Sequence, residues 1–109
     1  MKIMLQNGEL EITVEALKKI VYLATAESYG TVGLGDSRSF FEKIFGGDRG
    51  IKIEELEDSS LNVDVYIEVE YGVNIREVAK NIADNVAHKL KTLAGCEKLN
   101  ITVHVVGIK

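Results

Sequence analysis

Leu61-Asn-Val-Asp-Val-Tyr-Ile-Glu-Val-Glu-Tyr71 is the stretch on which the fold turns. Leu61, Val63, Val65, Ile67, Val69 and Tyr71 occupy every second position, and Asn62, Asp64, Tyr66, Glu68 and Glu70 stand between them. Side chains on a strand point alternately to opposite faces, so this run predicts a strand with one buried face and one wet face. Just before it, Asp58-Ser59-Ser60 reads as a turn, and Ile51 and Ile53 alternate with Lys52 and Glu54. Two strands so close in sequence predict a hairpin.

Reading forward, Gly72 ends the strand. Asn74 followed by Glu77 has the spacing of a helix N-cap with an acidic third residue. Ile75, Val78, Ala79, Ile82, Ala83, Val86, Leu90 and Leu93 then recur at helical spacing until Gly95, which predicts an amphipathic helix over 75–94. Leu99, Ile101, Val103 and Val105 alternate with Asn100, Thr102 and His104 and predict a closing strand. Reading backward, residues 9–13 alternate as a short strand. Thr13 caps a helix over 14–29 that carries Leu17, Ile20, Val21 and Ala24 and stops at Gly30. Between these halves, Thr31-Val32-Gly33-Leu34 reads as a brief strand and Arg38 to Phe45 as a short helix. Gly46-Gly47-Asp48-Arg49-Gly50 reads as a loop.

The predicted order is β-α-β-β-β-α-β, an α+β chain. One-sided strands and amphipathic helices bury their apolar faces only against each other. The expected architecture is therefore a two-layer sandwich, with two helices on one face of a mixed, mainly antiparallel sheet. With 109 residues the chain fits a single domain, 1–109, with a flexible segment at about 31–50. It is 46% hydrophobic and 28% charged, which places it among globular and not disordered chains. The net charge of -4 disfavours a phosphate backbone as partner. Cys96 is the single cysteine, so no internal disulfide forms and a cytoplasmic setting is expected. No apolar run approaches the roughly 20 residues of a membrane span, so direct membrane insertion is not expected.

The residue types that carry chemistry do not assemble into a motif. His88, His104 and Cys96 stand at unrelated spacings and form no zinc signature. His104 falls on the polar side of the closing strand, near Asp64 or Glu68; a metal held there is an expectation weaker than a solvated strand histidine. There is no Gly-x-Ser-x-Gly elbow, and no serine or cysteine is adjacent to a histidine. No catalytic residue, cofactor or resident metal is expected. Gly47-Asp48-Arg49-Gly50 matches the Gly-x-x-Gly of a KH loop, which makes an RNA-binding module the alternative reading. Asp48 would repel phosphate there, and the loop runs into a strand instead of joining two helices. Phe40, Phe41 and Phe45 are all the phenylalanines of the chain, and with Ile44 they sit beside the glycine-rich loop. They form either a flap closing one end of the core or a partner-binding segment.

Together, Gly8-Glu-Leu-Glu-Ile-Thr13, Tyr29-Gly30-Thr-Val-Gly33-Leu34, Gly50-Ile-Lys-Ile53, Glu70-Tyr71-Gly72-Val73-Asn74-Ile75, Leu93-Ala94-Gly95 and Leu99 to Val105 resemble the bacterial alkaline shock protein family. This is also called the general-stress Gls family. The resemblance spans nearly the whole chain and is most specific over 61–106. It implies a non-enzymatic, cytoplasmic protein that self-associates and serves as an assembly or adaptor module. It further implies a link to envelope stress or fatty-acid metabolism, through a membrane-anchored or kinase-like protein partner. The resemblance supplies no catalytic residues.

Overall fold

A computed structural model describes residues 1–30 and 50–108. The elements run β1 (Lys2–Leu5), β2 (Gly8–Glu11), α1 (Val14–Gly30), β3 (Ile51–Glu55), β4 (Leu61–Val69), α2 (Ile75–Ala94) and β5 (Leu99–Ile108). The chain is α+β. β4 is the centre of a three-stranded sheet, with β3 antiparallel on one side and β5 parallel on the other. β1 and β2 form a separate antiparallel hairpin. The parallel pair is possible because α2 carries the chain back to the start of β4, where Leu61 aligns with Leu99. The two helices lie side by side, α1 over β3 and α2 over β5.

The inner row of β4 anchors this arrangement. Leu61, Val63, Val65, Ile67 and Val69 are each at most 1% exposed, and removing such a side chain from water is worth about 2 kcal/mol. Above them lie Leu17, Val21 and Ala24 of α1 and Val78, Ile82, Val86, Leu90 and Ala94 of α2. The helix ends follow local chemistry. Thr13 Oγ1 accepts the Ala16 N–H at 3.2 Å, and Asn74 Oδ1 accepts the Glu77 N–H at 3.1 Å. At the far end of α2, Gly95 adopts φ 72°, and its N–H and that of Cys96 reach the carbonyls of Lys91 and Leu90, each at 3.2 Å. Polar links tie the helices together. The Ser28 hydroxyl donates to the Asn81 carbonyl at 3.3 Å, and the Asn85 amide donates to the Ala24 carbonyl at 3.0 Å.

Several expectations are refined. β4 stops at Val69, and Tyr71 is 87% exposed instead of facing the core. A turn in which the Val73 N–H meets the Glu70 carbonyl at 3.3 Å, with Gly72 at φ 99°, takes the chain off the ladder first. β5 runs three residues past Val105, because a bulge opposite Ile67 and Glu68 absorbs Val106 and lets Ile108 pair with Val69. The strand read at 9–13 is β2. It pairs with β1, a four-residue strand too short for periodicity to reveal, and Leu10 stays 40% exposed. The short strand at 31–34, the helix from 38 to 45 and the flexible segment up to residue 49 lie outside the described residues.

Candidate interaction face

Both described helices cover the inner row of the sheet, and among the described residues the outer row faces solvent. Register decides what meets there. Tyr66 aligns with His104, Asp64 with Thr102 and with Lys52, and Asn62 with Asn100 and with Glu54. His104 Nε2 lies 2.8 Å from Asp64 Oδ1, a hydrogen bond in which the imidazole N–H donates to the carboxylate. The same ring stacks on Tyr66, with centroids 4.4 Å apart and planes 10° from parallel. Asn100 donates from Nδ2 to Asn62 Oδ1 at 3.1 Å. Asp64 and His104 are each about one-third exposed, 34% and 35%. Glu68 faces Gly107, where any β-carbon would stand 3.2 Å from the Glu68 Cγ. A glycine there lets the Glu68 side chain lie across the end of β5.

The face is therefore a set of polar and aromatic groups already held in place by their neighbours. It holds a histidine oriented by a carboxylate, which is one half of a general-base arrangement. No serine, threonine or cysteine among the described residues is hydrogen-bonded to that histidine. No three or more His, Cys, Asp or Glu side chains among the described residues group as metal ligands. The expected proximity of His104 to Asp64 is found.

The remaining candidates lie elsewhere. His88 lines a shallow cleft of about 360 Å³ between the helices, with Glu27, Ser28, Asn81, Asp84 and Asn85. Its walls are cross-linked by the Ser28 and Asn85 bonds and by the Lys89–Glu27 pair at 3.8 Å. Cys96 is buried, with its thiol 3.4 Å from the Met1 sulfur. Burial pushes that thiol up from its ordinary value, and the Glu55 carboxylate adds to the shift. The group stays protonated and is a poor nucleophile. Phe40, Phe41, Ile44 and Phe45 lie outside the described residues, as do three of the four residues of the KH-like match. Gly50, the fourth, is buried, and its carbonyl accepts the Tyr66 N–H at 2.7 Å. That end of the match is locked to the central strand.

Sequence reasoning missed the Tyr66–His104 stack and the Asn62–Asn100 bond. Alternation placed all four residues on one face, but which pairs meet depends on the register of β5 against β4.

Comparison with known proteins bears on the same residues. The profile of the alkaline shock protein 23 family, described as having a cell envelope-related function, matches residues 2–109. The uncharacterized protein YqhY of Bacillus subtilis is 29% identical over 106 residues, covering 94% of this chain and 78% of its own. The uncharacterized protein Spy1614 of Streptococcus pyogenes serotype M6 is 28% identical over 114 residues, covering 99% and 93%. The uncharacterized protein YloU of Bacillus subtilis is 24% identical over 108 residues, covering 94% and 89%. No solved structure matches the chain.

Proposed function

The chain belongs to the alkaline shock protein 23 family, a family of cell envelope-related function, and from that membership we propose that it is a non-enzymatic assembly and adaptor module. In this reading it works in the cytoplasm, associates with its own kind, and offers the outer sheet face to a protein partner connected with the envelope. No helix among the described residues is long and apolar enough to cross a membrane. The proposed route to the envelope is that partner.

One observation carries the reading. The outer face presents Asp64, Tyr66 and His104 already bonded and stacked, so a partner meets a surface whose side chains lose little freedom on binding. Tyrosine and histidine there give a flat aromatic contact, and Asn62, Asn100 and Thr102 give hydrogen-bonding groups around it. That composition suits a protein interface better than a phosphate backbone. Analytical ultracentrifugation over a wide concentration range tests the self-association. Reversible assembly is the expected outcome, and a strict monomer at the highest concentration removes this part of the reading.

A further inference from the structure

The two rims of the three-stranded sheet are built differently. Natural edge strands are guarded by shortness, charge or proline, because an open row of N–H and C=O groups is a template for another strand. β3 follows that rule: it has five residues, and Lys52, Glu54 and Glu55 are charged and exposed. β5 does not. It has ten residues, Leu99–Ile108, without a charged side chain or a proline, and among the described residues it is bonded to β4 alone.

Burial points the same way. The inner row of β5, Leu99, Ile101, Val103 and Val105, is only half-buried, whereas the corresponding row of β4 is sealed. α2 covers β5 from above, yet among the described residues the apolar row has no strand on its outer side. A neighbour suited to that edge is a strand that brings apolar groups at the same level and no charge. Symmetry supplies one. A two-fold axis perpendicular to the sheet lays a second β5 antiparallel to the first and keeps both pairs of helices on the same side. It sets the two half-buried rows next to each other and opposes no like charges along the strands.

We propose that the β5 edge joins two copies of this chain, antiparallel, into one sheet of six strands, three from each, with a continuous outer face. This rests on the self-association proposed above and names the surface that carries it. The two Asp64–Tyr66–His104 clusters then lie on the same side of one platform, so a partner meets both at once.

The test uses the full chain and the double variant Thr102→Lys, Val106→Lys, which places two positive charges on exposed positions of the strand. Sedimentation velocity reads association, circular dichroism checks the fold, and hydrogen exchange reads the β5 amides above and below the association midpoint. The expected result is a dimer whose dissociation constant rises roughly tenfold or more in the variant, as like charges meet across the axis. Alternate β5 amides of the wild type should gain protection only in the dimer. A variant that folds and dimerises as the wild type does overturns the edge proposal and leaves self-association standing. A wild type that stays monomeric overturns both. If the variant does not fold, wild-type exchange decides alone: β5 amides indifferent to concentration overturn the proposal.

Discussion

The two rows of β4 share one backbone and have opposite characters. The inner row is uniform, aliphatic and sealed, and it shares one core cluster with the buried side chains of both helices. The outer row, Asn62, Asp64, Tyr66 and Glu68, is half-buried, on the face opposite the two described helices. Its cover comes from neighbours on the same face, chiefly His104 against Asp64 and Tyr66. The inner row acts through the non-directional removal of apolar surface from water, the outer row through specific distances and ring geometry. Stability belongs mainly to the first, and the proposed function assigns recognition to the second.

That division is open to attack from both sides. Ile67→Ala should be the most damaging change, since it opens a cavity beneath the helices. A loss of about 2–5 kcal/mol is expected, read as a lower urea midpoint with unchanged slope. A loss under 1 kcal/mol would mean that the inner row is not the foundation described. On the outer row, a double-mutant cycle with Asp64→Ala and His104→Ala should return a coupling of about 1 kcal/mol, because the pair is partly open to water. Near-zero coupling would reduce it to an accident of proximity. The smallest expected effect lies at the turn feeding both rows. Asp58 Oδ1 accepts from the Ser60 hydroxyl at 2.6 Å and from its N–H at 3.1 Å. These bonds hold the Asp58 carboxyl below its ordinary value, the hydroxyl contributing most. A carboxyl depressed on folding adds stability above its unfolded pKa, near 3.9, and that contribution disappears as pH falls through the folded value. The Asp58 carbon resonance in an NMR titration should therefore have its midpoint below about 3.9, and Ser60→Ala should move it back up.

What was legible in the sequence follows the same line. The inner row of β4, the Thr13 and Asn74 caps and the Gly95 stop all depend on residues a few positions apart, and each is found as read except at Tyr71, which lies past the end of the strand. The outer cluster depends on how β5 slides against β4 across the whole of α2, which no local pattern encodes. His104 therefore read as a solvated strand residue, although the register stacks it on Tyr66. The bulge did leave a trace: Val105 and Val106 are consecutive apolar residues before Gly107, where strict alternation fails. The β1–β2 hairpin left almost none, because four-residue strands with mostly exposed side chains look like ordinary chain ends.

The electrically fenced margin at β3 has a consequence for growth. Lys52, Glu54 and Glu55 deter a newcomer on that side. A pair joined at its bare margins would have such a fence at either extremity, so growth along this sheet would end at two copies, a finished tile and not a seed.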